Sequence, residues 1–294
     1  MRHFLLIPHL KIHNANAMSS PYTIGFPAMT AWLGAVHALQ RKLKQQGCDL
    51  NLNKVAVSCH DFNLQTYKGR GDFVHSIVGT ANPLDKDGNR PAFIEEARCH
   101  LEVSLLIEIE SSSKRQRDQL LELVNGIVAS MKFTSGDVLS AKPCTILNFD
   151  DDEDQSQQLR PILNKLMLGH VLIERRDLVI QSMQDGKDAL DSVLDYLKVT
   201  HSSIQDEDGK VTWTSKRKAQ GWLVPIAVGF QGISELRHAK NQRDVNTPHR
   251  FAESVLTLGE FVMPYRIESI DQLLWQYHVD LENNLYLCQN QNTH

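Results

Sequence analysis

Thirteen histidines and five cysteines are the side chains of this 294-residue sequence best suited to chemistry. Two cysteines are followed directly by histidine, as Cys59-His60 and Cys99-His100. Both pairs fall in segments that read as strands, where adjacent side chains point to opposite faces, so neither pair readily grips one ion. No CxxC or HExxH spacing accompanies them. Packed thiols and hydrogen-bonded histidines are therefore expected, with no metal and no cofactor. Serines are plentiful, but the GxSxG elbow is absent. Neither GxGxxG nor GxxxxGK[ST] occurs, and Gly69 and Gly71 lack the helix that a phosphate loop needs. The run Asp150–Asp154 has no glycine turn and no terminal glutamate of a calcium loop, and reads as a solvated linker. His9, His13 or His37 could serve as a general acid or base, but the sequence supplies none of them with a partner. A non-catalytic protein is the expectation.

Composition narrows the class. Hydrophobic residues make up 41% of the chain, enough for a real core. No stretch of about 18 uncharged apolar residues exists, so no membrane span is expected. The apolar start is cut short by His9 and Lys11, which suits a first strand better than a leader peptide. Five widely spaced cysteines do not form a disulfide framework and point to a reducing cytoplasm. The net charge of −4 argues against nucleic acid until its distribution is considered. Residues 1–100 carry 11 Lys/Arg against 7 Asp/Glu, residues 101–210 carry 12 against 20, and residues 213–250 carry 7 against 2. Both ends thus offer locally positive surface, and a phosphate backbone responds to local potential. Ordinary surface scatter gives the same counts.

The elements that would position these groups can be read from periodicity. Phe4–Ile12, Lys54–Phe62 and Ala97–Glu110 are expected strands, the last with Leu101, Val103, Leu105, Ile107 and Ile109 on one face. Between Pro27 and Gln46, Trp32, Leu33, Val36, Leu39 and Leu43 recur at helical spacing, and Gly47 stops the helix. Ser111–Met131 reads as a second helix. The glycine-punctuated excursion Asn63–Glu96, with a turn at Asp87-Gly88, suggests a hairpin reaching beyond the domain. Further along, Arg160–Leu168 and Asp188–Val199 look helical, His170–Glu174 and Gly221–Phe230 look like strands, and Arg250–Met263 and Ile270–His278 look helical. The outline is an α+β chain. A modified ferredoxin-like or RNA-recognition-type βαββαβ domain occupies 1–147, with a hairpin at about 63–96. An acidic linker follows at 148–158, then an α/β region at 159–294 packed on the first.

Between the first strand and the first helix the sequence becomes distinctive. The run Asn14–Leu39, NANAMSSPYTIGFPAMTAWLGAVHAL, resembles the amino-terminal signature of the second Csy protein family of type I-F CRISPR systems, a Cas-five-like subunit. In order, Cys59-His60, 82–88 (NPLDKDG), 95–106 (EEARCHLEVSLL), 221–226 (GWLVPI) and Arg243–Glu260 with its TPHRF are similar to that family too. The resemblance weakens across the acidic run and about Asp185–Lys218. It implies a non-catalytic subunit that holds the 5′ handle of the guide RNA, beside the large Csy subunit and the backbone Csy subunit, and meets target DNA only through the complex. The residue chemistry agrees with RNA. Asn14, Asn16, Ser19, Ser20 and Thr23 supply compact donors and acceptors for phosphates and base edges, although they equally suit a plain strand-to-helix turn. Arg98 and His100 lie in a matched segment. Lys68 and Arg70 would meet phosphates from the hairpin, where Phe73, Val74, Ile77 and Val78 have no evident local core. Arg237, Lys240, Arg243, His249 and Arg250 are expected to grip phosphates from a polar stretch between a strand and a helix. An RNA endonuclease of related fold and a pure protein scaffold are the rival readings.

Overall fold

The computed structural model describes residues 1–79, 84–90, 96–110, 114–150, 155–242 and 244–290. In chain order its first elements are β1 (Arg2–Asn16), β2 (Met18–Ser20), β3 (Thr23–Ile24), α1 (Met29–Gln45), β4 (Asn51–Leu64), β5 (Thr66–Tyr67), β6 (Ser76–Ile77), β7 (Arg98–Glu110), α2 (Lys114–Val128), β8 (Lys132–Phe133), β9 (Gly136–Ser140) and β10 (Thr145–Phe149). Then come α3 (Gln155–Leu166), β11 (His170–Glu174), α4 (Arg176–Gln184), α5 (Ala189–Leu197), β12 (Thr200–Gln205), β13 (Val211–Lys216), β14 (Trp222–Gly232), β15 (Ala252–Val262), β16 (Trp275–Asp280) and β17 (Leu285–Gln289).

The architecture is mixed α and β around one large antiparallel sheet. In its first half the strands lie side by side as β4-β7-β1, with β9 and β10 sharing the outer edge of β1. Strict alternation on β7 sends Cys99, Leu101, Val103, Leu105, Ile107 and Ile109 into the main core, under α1 and α2. The intervening residues must face the other way. Strand β1 obeys the same rule only with two corrections. Its register shifts between Ile7 and Leu10 and again between Ile12 and Ala15. Each shift is a bulge that inserts one residue and flips the parity. Leu5, Ile7, Leu10, Ile12, Ala15 and Ala17 therefore all reach the same core. His9 and Asn14 take the positive φ values of 50° and 57° that the bulges demand, a conformation that His and Asn tolerate better than most. The second bulge is braced by the β8–β9 turn, where Thr134 O accepts the Asn16 N–H at 2.8 Å. A Cβ on Gly136 would come within 2.5 Å of Ile12 Cγ2, so only glycine permits that approach.

A second core covers part of the opposite face. Phe4 and Leu6 of β1, Ala56 of β4 and Leu106 of β7 pack under α3 and the turns at Pro264–Arg266 and Ile270–Gln272. Two buried acids at this level are paired: Glu108 with Arg2 at 2.6 Å and Lys54 at 3.1 Å, and Glu174 with Arg176 at 2.5 Å.

The second half of the chain is built differently. Strands β11-β15-β14-β17-β16 run in that order, and both ends return to the free edge of β4. Trp275 of β16 pairs with Val55, while His170 and Val171 of β11 pair with Cys59 and Ser58. The pairing closes a ring of six strands. Trp275, fully buried, locks it by donating Nε1–H to Leu172 O at 2.9 Å. Helices α4 and α5 cover the outside through Val179, Val193 and Tyr196 against Leu223 and Leu258.

Two expected helices are strands. Arg250–Met263 holds β15, paired with β14 from Trp222↔Phe261 to Gly232↔Ala252 and with β11 on its other edge. Val255 and Phe261 face the main core and Leu258 the α4–α5 cluster. A strand with apolar side chains packed on both faces loses its polar alternation and imitates a helix in sequence. Ile270–His278 has one 3-10 turn, which satisfies the Ile270, Leu273, Leu274 spacing, and then extends into β16. The segment 148–158 is not linker throughout. Asn148 and Phe149 belong to β10 and Gln155–Gln158 to α3, while 151–154 lie outside the described residues. The excursion 63–96 contains the short β5–β6 ribbon and an Asp85 turn whose carboxylate accepts from Asp87 N and Asn89 N. Residues 80–83 and 91–95 lie outside the described residues, as do 111–113 at the expected start of α2. Ile77 does have a core, since it packs against the main one, whereas Phe73 is 98% exposed.

Candidate nucleic-acid interface

Beyond the second core, the described residues leave the sheet face opposite α1 and α2 largely open. Parity dictates its membership. From β1 come His9, Lys11, His13 and Asn16; from β7, Arg98, His100, Glu102 and Ser104; from β4, His60, Asp61 and Asn63. Cross-strand registers place Lys11 opposite Glu102, Asn16 opposite Arg98, Asp61 opposite Glu102, and Asn63 opposite His100. The same parity separates each Cys-His pair. Cys59 and Cys99 enter the core, where burial pushes each thiol up to about 12, and His60 and His100 turn outward.

The histidines form two stacked pairs. The His9 and His60 rings lie 4.4 Å apart, and the His13 and His100 rings 4.2 Å apart at 14°. Around the first pair the contacts are dense. His9 Nδ1 meets Glu102 Oε1 at 2.6 Å, Lys11 reaches the other carboxylate oxygen at 3.5 Å, and His60 Nε2 meets Ser104 Oγ at 2.7 Å. The hydrogen bond from His9, followed by the charge of Lys11, holds Glu102 below the usual carboxylate range. Burial, then the neighbouring His9, lowers His60 to about 4, so its ring is neutral at physiological pH. Ser104 is fully buried and also accepts from His9 N at 3.0 Å. It is therefore a brace for the histidines and has no access to a substrate. Around the second pair the contacts are sparse. His100 Nδ1 accepts the Asn14 N–H at 3.1 Å, which in the neutral ring leaves Nε2–H free to donate outward. The face presents flat rings, amides and donors with nearly balanced charge. Such a surface suits stacking and base-edge contacts better than bulk attraction to phosphate.

The expected site residues fall into four groups. Asn14, Asn16, Arg98 and His100 meet at one corner of this face. Asn16 closes a local loop with Met18, accepting its N–H and donating to its carbonyl, and Arg98 pairs with Glu96. Ser19, Ser20 and Thr23 lie beside that corner in the β2–β3 hairpin, but their hydroxyls bond one another, with Thr23 Oγ1 at 2.8 Å from both serines. Ser20 and Thr23 are buried, so they shape the hairpin. Lys68, Arg70 and Phe73 sit exposed on the β5–β6 ribbon that continues from β4. Arg237, Lys240, His249 and Arg250 lie on the connection between β14 and β15, two strands and not a strand and a helix. Arg243 lies outside the described residues. Arg237 and His249 bridge through their backbones, and Arg250 bonds Asn284. At about 3.3 Å per residue along β14, this group is ~30 Å from Trp222, at the far end of the ring. The structure does not bring it to the open face.

Sequence reasoning missed His9, Lys11, His13, His60, Glu102 and Ser104 as members of one surface. The signal was present in the apolar spacing of β1, which steps by two and three in turn from Leu5 to Ala17. That pattern is a strand carrying two bulges, and it assigns the residues between the apolar ones to the opposite side, which is open beyond Leu6. Also missed was the β12–β13 ribbon, announced by Asp208-Gly209 before Val211-Thr212-Trp213.

Comparison with known proteins bears on this geometry. The family model described as CRISPR-associated protein (Cas_Csy2) matches residues 5–288. CRISPR-associated protein Csy2 of Pseudomonas aeruginosa (strain UCBPP-PA14) is 33% identical, over 96% of this chain and 93% of that protein. A match that spans the bulged strand, the open face and the closed ring together places this chain in the Csy2 family of CRISPR-associated proteins.

Proposed function

We propose that this chain is a non-catalytic, cytoplasmic RNA-binding subunit of a type I-F CRISPR surveillance complex. It holds the 5′ handle of the guide RNA and joins the large subunit to the backbone filament. The observation that carries the reading is the uncovered face of β4-β7-β1, lined by two stacked histidine pairs. The strand order β4-β7-β1-β9, with α1 and α2 on the opposite face, supports a ferredoxin-like, RNA-recognition-type description of the first half. In such domains single-stranded RNA lies across the side of the sheet that the helices leave free. The exposed β5–β6 ribbon, with Phe73 at its tip, suits a thumb that is ordered by RNA or a neighbouring subunit. The bonding of His60 and Ser104 favours binding over catalysis, because a half-buried base and a buried hydroxyl serve structure first.

The test is co-expression with the neighbouring CRISPR genes, followed by binding of the purified chain to handle RNA and to a scrambled strand. A preference for the handle, weakened by salt and without cleavage of repeat RNA, is expected. Equal affinity for both strands removes the handle reading, and divalent-independent cleavage converts the protein to an endonuclease. No RNA binding at all leaves a scaffold.

A further inference from the structure

Where β4 passes its last bulge, the sheet opens into a cleft of about 420 Å³. Its lining comes from the loop before α1, the end of β4, the start of β11, and β14 with β15. Aromatic rings dominate it. Phe26 forms the base, in contact with Phe62 at 6.3 Å and Phe261 at 5.2 Å, and Phe261 touches Trp222 at 5.2 Å. His170 sets its ring edge-on to Trp222 at 5.3 Å. Phe26 is nearly buried, yet Trp222 is 53% exposed and Phe62 38% exposed, so among the described residues the outer rings keep surface open to a ligand. The polar lining is His60, Asp61 and His170. His60 also stacks on His9, so the cleft is continuous with the open sheet face.

We propose that this cleft receives one unstacked nucleobase of the bound RNA strand, seated against the rings of Trp222 and Phe62. The inference rests on the RNA-binding reading above and adds the place where a base leaves the strand. Three features select a base over other occupants. Flat aromatic walls match the π-face that every base presents. The two imidazoles offer hydrogen-bond donors and acceptors at the edge, and His60 is kept neutral by burial. Asp61, which lines the cleft mouth, disfavours a phosphate inside it. A cleft of this size is in the range that holds a small flat ligand.

The test uses the full chain in a Trp213→Phe background, because Trp32 and Trp275 are fully buried and Trp222 is then the exposed indole. The probes are short single-stranded oligoadenylate, oligouridylate and an abasic ribose-phosphate strand of equal length. The base-bearing strands should quench Trp222 and the abasic strand should not. Trp222→Ala should weaken binding of the base-bearing strands roughly 5- to 150-fold, the range of one lost stack. It should leave the abasic strand unaffected, and Trp222→Phe should restore most of the loss. Wild-type affinity in Trp222→Ala, or equal quenching by the abasic strand, overturns the cleft while RNA binding stands. Strands that bind without dimming Trp222, in a chain whose Trp222 dims on adding partner subunits, show a protein contact there and overturn it too. If neither these strands nor handle RNA binds, the RNA-binding reading falls and takes this one with it.

Discussion

The two halves of this molecule use the same antiparallel pairing to opposite ends. In the first half β4, β7 and β1 form a sheet with α1 and α2 on one side and, on the other, a polar face that α3 covers only in part. In the second half five strands curl round and return to β4, so the sheet ends in a closed ring. An open face exposes alternate side chains and can be read by a ligand. A closed ring has no free edge and mainly contributes rigidity. The difference shows where function can reside in a chain most of whose strands join one sheet: at the face left open and at the seam where the ring begins.

That comparison can be tested by mutations with graded effects. The largest concerns the ring. Trp275→Ala removes a fully buried side chain and its bond to Leu172 O, and should cost about 3–5 kcal/mol. Because β4 belongs to both halves, chemical denaturation should show one transition moved to lower denaturant. A second transition left at the wild-type position would show that the halves unfold separately. Next comes the open face. The double variant His13→Ala with His100→Ala should change stability by less than about 1 kcal/mol but weaken handle binding by roughly 1–3 kcal/mol. Unchanged affinity with intact folding would remove this stack from the interface.

A third effect depends on pH. His60 titrates at about 4 in the folded protein against an ordinary value of 6.5. Between those values the unfolded chain binds a proton that the fold refuses, so stability rises with pH there. It is complete above about 6.5 and lost as pH falls towards 4. Allowing for solvent around a half-buried ring, the contribution is about 1 kcal/mol. Urea midpoints at neutral and acidic pH should converge in His60→Gln, and an unaltered pH slope would assign the acid sensitivity elsewhere. The smallest effect is expected at the far end of the ring. Arg237→Ala should shift stability by no more than about 0.5 kcal/mol. If its side chain grips a phosphate, the salt slope of RNA binding should fall by about one. A full slope would confine RNA to the region of the open face.

What was legible in the sequence follows the same division. In the first half the strands and α1 were readable because one face is buried and the other is not. Alternation on β7 and the Trp32–Leu43 spacing on α1 are direct prints of that one-sided burial. In the ring, β15 carries apolar side chains on both faces and so shows no period of two, which made it read as a helix. The site was legible in part. Asn14, Asn16, Arg98 and His100 do converge, but the grouping with His9, His13 and His60 depends on two bulges. Bulges are set by the paired strand as much as by the bulged one. The hydroxyls of Ser20 and Thr23 looked like ligand donors because sequence cannot show that they already satisfy each other.

Strand β4 has a consequence for how this protein is made. Its partner β7 follows within one hairpin-like excursion, but the residues that complete its other edge come much later. His170 follows Cys59 by roughly 110 residues and Trp275 follows Val55 by roughly 220, which at 5–20 residues per second is on the order of 5–45 s of translation. Throughout that interval this edge of β4 lacks the strands that pair with it in the finished fold. Slow elongation before β11 would lengthen this vulnerable stage, and a partner or chaperone that shields the nascent edge would shorten it. The yield of soluble protein should therefore respond to codon choice between β7 and β11 more than to codon choice after β17.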